Sequence, residues 1–338
     1  TEEEWKQRRA GVDFARRSVF EEQRRQFLDL MKQQGIWPER FQERCDNLST
    51  GEYLYDCIDC KDSFYVEGGR RLHNCGFSWG GPSENSYSSH GLISSSACYL
   101  TLTAKRCQRV HFSYTIADSR DLEYCLNCYS CESCFACIGL RNRRFCILNK
   151  QYDEVGYWKL VDELKSTMLE DGSYGAFFPV SWSTGFAPDS GMVLYSATTD
   201  VEMSQIGVRQ FDPGEEGAMG PDLSQASNIC KSSDVPDDIS DLDEEQWPQR
   251  VIYDPAINRR FTIMRPEISY DKIHKLFPPN THFISRMKSL FASANTHRFM
   301  AAECASCHKG ITIAVNPTYV DRIVYCLTCY HAFIEQNG

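Results

Sequence analysis

A chain of 338 residues with 42% hydrophobic and 12% aromatic content carries enough apolar surface for one large or two to three ordinary domains, which excludes a disordered polypeptide. The formal charge of -10 excludes a uniformly basic nucleic-acid coat, and no apolar run approaches the ~18 to 20 residues needed to cross a bilayer. Seventeen cysteines, an odd number in a chain this long, do not suit a secreted disulfide scaffold and point to a reducing, intracellular setting: cytoplasm, virion or organelle matrix.

The N-terminal segment, 1–50, reads as helical. Ser18-Val19-Phe20-Glu21 has the form of a capping box, Phe20, Phe27, Leu28 and Met31 recur at helical spacing, and Gly35 with Pro38 ends the run. One face of this helix should cover an end or flank of the next domain. Trp5, Trp37 and Trp247, each in a polar context, read as surface aromatics suited to partner contacts.

From 51 to 152 the chain changes to short stretches rich in Tyr, Phe, Ser and Cys, with frequent turn residues and no helical period, which reads as β. Cysteines recur eighteen residues apart three times, Cys57 to Cys75, Cys107 to Cys125 and Cys128 to Cys146. Such a repeat cannot close its own core but can stack as coils of a β-solenoid with small residues inside; a β-sandwich with coincidental spacing is the competing arrangement. Gly76 to His90, with Gly80-Gly81-Pro82-Ser83, reads as a loop leaving the stack.

Within this region Cys125, Cys128, Cys131, Cys134 and Cys137 recur every third residue. On a flat strand they would alternate faces, whereas on a tightly coiled path they would line one face. Interior packing of small thiols, a second zinc site and an iron-sulfur cluster all fit the spacing; the cluster is disfavoured because the ferredoxin run has a wider last gap and a following proline. A redox dithiol at Cys57-Ile58-Asp59-Cys60 lacks the expected strand-to-helix context. His73, His90 and His111 have no spaced partner and read as structural.

A second helix, 154 to 170, presents Tyr157, Val161, Leu164 and Met168 on one face and is closed by Gly172; with the β and loop segment up to 210 it reads as a cap on the open solenoid end. The stretch 211–248 reads as an acidic linker or surface excursion, holding eleven acidic residues from Asp212 to Glu245 against Lys231 alone. The last segment, 249–338, is basic, with two short helices near Ile268 to Leu276 and His282 to Ala294.

It ends in Cys304-Ala305-Ser306-Cys307 and Cys326-Leu327-Thr328-Cys329, separated by eighteen residues. That spacing predicts a tetrathiolate zinc site of ribbon or treble-clef type, holding one structural Zn2+, with Ile311 to Val315 and Arg322 to Tyr325 forming the hairpin that joins the pairs. Four thiolates leave no open position for water. His308 and His331 flank the pairs and read as surface residues. The fold class is therefore mainly β with peripheral helices (α+β): a β-solenoid-like Cys-rich repeat region plus a C-terminal zinc module.

At Ile138-Gly139-Leu140-Arg141-Asn142-Arg143-Arg144-Phe145-Cys146-Ile147-Leu148-Asn149-Lys150-Gln151-Tyr152 the chain resembles a large uncharacterised family of Cys-rich repeat proteins with zinc ribbons, common in uncultivated small-genome bacteria and present in some large DNA viruses. Further matches lie in order at Asp13 to Arg16 through Phe20 and Gln23, at Phe177-Phe178-Pro179, at Arg260-Phe261-Thr262-Ile263, and from Tyr325-Cys326 through Tyr330. The resemblance implies a further N-terminal ribbon, which this chain lacks, and a cysteine where Ile252-Tyr253 stand. It carries no activity over; an acyl-CoA-transferase label has no support in these residues.

No phosphate-cradling loop, nucleophile elbow or HExxH helix occurs, and no small-molecule substrate suggests itself. The leading expectation is a non-catalytic scaffold or interaction subunit of a larger protein assembly. Two alternatives stand beside it: a nucleic-acid (RNA or DNA) binder through the basic C-terminal end, with Arg286, Lys288, Arg298, Lys309 and Arg322 as contacts, and a metal or redox enzyme centred on Cys125 to Cys137.

Overall fold

The computed structural model describes residues 1–46, 48–183, 185–208 and 228–337. Helices α1 (Glu2–Ala10) and α2 (Arg17–Gln34) precede a β-solenoid of about nine turns. Helices α3 (Glu154–Glu170), α4 (Gly191–Ser196) and α5 (Asp200–Gln205) follow it, and α6 (Arg265–His274), α7 (Phe283–Phe291) and α8 (Leu327–Asn337) lie in the C-terminal part. No described helix is long and apolar enough to cross a membrane.

The solenoid is built in units of three residues. In each unit one side chain points inward, the next points outward, and the third turns a corner in the left-handed αL region. The inward set, including Leu54, Cys57, Cys60, Val66, Leu72 and Cys75, and later Leu122, Cys125, Cys128, Cys131, Cys134 and Cys137, is buried throughout. The residue before each inward one has φ near +50°, as at Asp56, Asp59, Asp118, Asp121, Asn127 and Asn142. Asn and Asp tolerate αL better than other residues with a Cβ, which explains their density at these corners. Four units close one coil: Leu54 pairs with Val66, Val110 with Leu122, and Cys134 with Cys146, each twelve residues on.

The eighteen-residue cysteine spacing is therefore not the coil length. Eighteen is six units of three, and any multiple of three returns a side chain to the interior, so the recurrence reports inward orientation and not stacking register. The five-cysteine run likewise does not line one face; its members point inward from successive walls, and Cys137 returns one coil above Cys125.

The narrow bore explains why thiols and hydroxyls fill it. An inward cysteine or serine donates to a carbonyl two residues before it and to another nine residues after it. Cys107 does this to Lys105 and Ile116 at 3.3 and 3.5 Å, and Ser95 to Ile93 and Ala104 at 3.0 Å each. The Ser95 hydroxyl also accepts the N–H of Cys107 at 3.1 Å, one coil on. The Lys105 and Ile93 carbonyls also accept the backbone N–H groups of Asp118 and Arg106 at 2.9 and 2.8 Å, so the inward donors add to the coil ladder instead of replacing it. Outside, Arg106 pairs with Asp118 and Arg109 with Asp121, again twelve residues apart.

The Gly76 to His90 stretch does not leave the stack. The register lengthens there from twelve to fourteen, with Arg70 opposite Glu84 and Gly76 opposite His90, so only two extra residues are inserted. Gly80 and Gly81 absorb them with φ of +80° and +139°.

Helix α3 does not cap the solenoid end. It lies on a wall, with Tyr157 and Val161 buried against Phe135 and Ile147, while Leu164 is exposed. The end itself is closed by an antiparallel return, Ile147 opposite Lys150, and by Asn149, whose side chain accepts the N–H of Ile138 at 2.8 Å and donates to its carbonyl at 2.9 Å. One amide thus stands in for the missing next coil.

Of the acidic stretch, Asp212, Glu215, Glu216 and Asp222 lie outside the described residues, and the remainder from 228 to 248 is not a linker. Val235, Ile239, Leu242 and Trp247 bury among Ile252, Ile263 and Ile268 in a second core, leaving the carboxylates outside. Trp247 is buried there and Trp37 packs on Tyr319, so of the three tryptophans expected at the surface only Trp5 is exposed. Helix α2 begins at Arg17, not after Ser18, and Arg16 supplies no side-chain cap. Its cap comes from another segment: Asp237 accepts the Ser18 N–H at 2.8 Å and hydroxyl at 2.6 Å. Phe20 packs on Phe277 with ring centroids 4.7 Å apart, and Arg24 bonds Ser289, so the helix packs on the C-terminal part.

Candidate metal centre

The C-terminal module starts from an antiparallel pair, Phe299–Glu303 with Gly310–Ala314, whose tip carries the first two cysteines. Cys304 donates its N–H to the Lys309 carbonyl and accepts that of His308 on its own, both at 2.9 Å. His308 takes φ +62° to bring the chain back. The second pair sits elsewhere: strand Ile323–Tyr325 leads directly into Cys326, and Cys329 lies in the first turn of α8.

The two inner strands do not pair with each other as the spacing suggested. Ile323–Tyr325 pairs in parallel with Ile36–Pro38 from the N-terminal segment, and the two halves of the site are joined by the Ala305 N–H on the Val324 carbonyl at 2.9 Å and the Cys326 N–H on the Cys304 sulfur at 3.2 Å. The first cysteine pair therefore sits at the tip of a hairpin and the second at the start of a helix.

The sulfurs of Cys304, Cys307, Cys326 and Cys329 all lie within 4.8 Å of one another, and among the described residues no other set of three or more His, Cys, Asp or Glu converges in this way. Cys307 and Cys326 are 3.8 Å apart, the separation that ~2.3 Å zinc–sulfur bonds give in a tetrahedron. Burial alone would raise the Cys304 thiol, but N–H groups of Cys326, Cys307 and Ser306 point at its sulfur and lower it to about 6. That prepares a thiolate for a cation. Ile311, Ile313 and Val324, with Trp37 packed against them, form the apolar floor. The donor set could hold a metal ion such as zinc, and four thiolates fill a tetrahedral sphere. His308 contacts Glu303 at 2.6 Å on the surface; neither it nor His331 belongs to the set.

The module is clamped to the first coils of the solenoid. Phe41, Tyr53, Tyr65 and Phe77 stack one above another, with ring centroids 5.6, 4.7 and 5.3 Å apart, along one outer row. His297 stacks on Phe64 of the neighbouring row at 4.1 Å; burial and the nearby His90 lower it to about 4, so the ring is neutral. The Tyr53 hydroxyl accepts the Asn295 N–H at 2.9 Å. These residues carry no sequence signature beyond a twelve-residue aromatic recurrence, visible only once that period is known.

The interior thiols are of a different kind from those of the module. Burial pushes Cys75 up to about 11 and Cys98 up to about 12, so both stay protonated. Cys125, Cys128, Cys131, Cys134 and Cys137 are each committed to backbone carbonyls, as at Cys137 with Phe135 and Cys146, 3.3 and 3.4 Å away, and no three of their sulfurs converge as a metal group. Cys57 and Cys60 are both buried in the same fashion.

The five basic candidates do not form a surface. Arg298 is bound to Glu202 at 2.8 and 2.9 Å and to the Ser196 carbonyl. Lys288 faces Asp189 at 3.5 Å, and Arg322 reaches the carbonyls of Tyr319 and Ala314. Arg286 and Lys309 are exposed and lie on separate elements.

Fold and site define a twelve-residue-coil β-solenoid bearing a four-cysteine module that could hold a metal ion. No family model matches the chain, and no curated protein does.

Proposed function

We propose that this chain is a non-catalytic interaction subunit of a reducing compartment, in which one zinc ion held by Cys304, Cys307, Cys326 and Cys329 fixes the module that clamps the solenoid. The observation that carries this reading is the closure of the four-sulfur site together with what it joins. The hairpin, the strand paired with Ile36–Pro38 and helix α8 all meet there, and Asn295, His297 and Phe299 lead from the hairpin onto the first coils. A metal so enclosed braces the chain and has no coordination position left for a substrate. That all seventeen cysteines are free supports a reducing setting.

Elemental analysis of the purified protein, with gel filtration of gently lysed producing cells, tests the reading. One zinc per chain, no iron, and elution within a complex well above the mass of the chain are expected. A second metal, iron, or elution as a free 38.8 kDa species would overturn it.

A further inference from the structure

The last coil of the solenoid has four outward residues, Ile138, Arg141, Arg144 and Ile147, and its closure reaches two of them. In the coils below, the N–H and the carbonyl of an outward residue both bond to the coil that follows. Tyr129, for example, donates to the Leu140 carbonyl at 2.9 Å and accepts the Asn142 N–H at 3.0 Å. In the last coil the Asn149 amide meets both groups of Ile138, and Ile147 pairs with Lys150. Among the described residues nothing meets the backbone N–H and carbonyl of Arg141 and Arg144, so a short stretch of edge stays open.

The side chains at that opening lack what the lower coils provide. Arg44 holds Asp56 at 2.8 Å, Arg106 holds Asp118 at 2.8 Å, Arg109 holds Asp121 at 2.9 Å and Arg120 holds Glu132 at 2.6 Å. In each pair the acid stands twelve residues on, one coil later. Arg144 continues the row of Arg120 and Glu132, but Glu132 is already engaged and no later coil follows to supply an acid. Arg141, Arg143 and Arg144 are all exposed, and among the described residues none of them has a carboxylate partner. Arg141 lies instead over the Tyr129 ring at 4.8 Å.

Backbone and side chains together select the occupant. A second copy would bring the same arginines, and like charges repel; charged edges hinder self-pairing for that reason. Nucleic-acid phosphates would answer the arginines but are acceptors only, which leaves the two carbonyls unmatched. A peptide segment offers N–H and carbonyl groups along with carboxylates. Arg141 and Arg144 are three residues apart, with a corner at Asn142, where φ is +52°. The matching segment therefore carries acids three residues apart with Asn, Asp or Gly at the corner between them.

We propose that the open edge from Arg141 to Arg144 is the docking site for an acidic segment of a partner protein, which adds to the last coil as the next rung. Its backbone bonds the N–H and carbonyl groups of Arg141 and Arg144, and its carboxylates pair with their guanidinium groups as Asp118, Asp121 and Glu132 do one coil after Arg106, Arg109 and Arg120. The site rests on the interaction-subunit reading and names the chemistry of the partner.

Hydrogen exchange of the full zinc-loaded chain, resolved to single amides and measured with an acetylated peptide of repeated Glu-Asn-Ser units, tests the site. Exchange at Arg141 and Arg144 should slow about fivefold or more, because strand addition takes up those N–H groups and charge attraction alone does not. A Glu-Pro-Ser peptide of equal charge should have no such effect, since proline cannot turn the corner and has no N–H to give the Arg141 carbonyl. The slowing should also vanish in Arg141→Glu/Arg144→Glu, with unchanged protection around Leu122 showing that the variant is folded. No slowing, equal slowing by the proline peptide or by oligouridylate, or its persistence in the folded variant would overturn the proposal. Zinc content of the same preparations separates the two ideas: one zinc without slowing sinks the docking site alone, whereas absence of zinc sinks the scaffold reading.

Discussion

The side-chain amide of Asn295 donates to the carboxylate of Glu52 at 2.7 Å, with both residues buried where the module meets the second coil of the solenoid. The same carboxylate oxygen accepts the Phe41 N–H at 3.3 Å, and among the described residues its other oxygen has no partner. Burial raises Glu52 to about 7, against the opposing pull of those two bonds and of Arg322 and Arg40. The folded state therefore holds a proton that the unfolded chain, titrating near 4.5, has released.

With the folded value above the unfolded one, the favourable contribution is complete below about pH 4.5 and is lost as pH rises to about 7. A shift of this size corresponds to about 3 kcal/mol. Glu52→Gln keeps the amide-compatible shape and removes the titration. Urea unfolding should show the variant more stable than the parent at pH 8 by a few kcal/mol, with the difference shrinking toward pH 5; equal stability at both pH values would refute the assignment.

Removing the metal should separate module from solenoid. Structural zinc contributes roughly 10–16 kcal/mol in small modules, more than such a module can replace by packing. A chelator, or Cys326→Ser, should abolish zinc binding and hydrogen-exchange protection at Asn295, Asn316 and the Ile36–Pro38 pairing. Protection around Leu122 and Cys134, which the coil ladders supply, should persist.

The interior tolerates a hydroxyl better than bulk. Cys125 stands one coil beyond Ser113, whose hydroxyl accepts its N–H at 3.0 Å, and Thr101 precedes Ser113 in the same row. Cys125→Ser should change stability by about 1 kcal/mol or less, whereas Cys125→Leu overfills the bore and should cost about 1–3 kcal/mol. Denaturant midpoints at constant slope distinguish these outcomes.

The corners are equally specific. Asn127 is exposed at φ +53°, so its side chain contributes little beyond tolerance of that conformation. Asn127→Gly should be nearly neutral and Asn127→Val should destabilise by about 1–2 kcal/mol. If valine were harmless there, the corner geometry would be wrong.

Residue identity and short-range spacing marked the four cysteines of the module, because a CxxC turn places two thiolates without help from distant chain. They also marked the β character of 51–152 and the span of α3, whose Asp153 cap accepts the Gly156 N–H at 2.7 Å. The true period was less legible. Cysteine is one of several small residues that satisfy the inward position, so its spacing samples multiples of three, and the coil of twelve emerges only from which backbones pair.

The amino-acid sequence by itself determined which positions turn inward and which thiols can meet a cation, since both follow from side-chain chemistry at fixed short intervals. Only the tertiary structure decided that Asp237 caps α2, that Ile36–Pro38 and not Ile311–Val315 pairs with Ile323–Tyr325, that α3 lies on a wall instead of the end, and that Lys288, Arg298 and Arg322 have partners within the chain. The Asp237 cap, the strand pairing and the Lys288 and Arg298 ion pairs each join groups far apart along the chain. Local propensity and charge patterning are the same whether or not such a partner arrives, so nothing short of the folded arrangement could select among them.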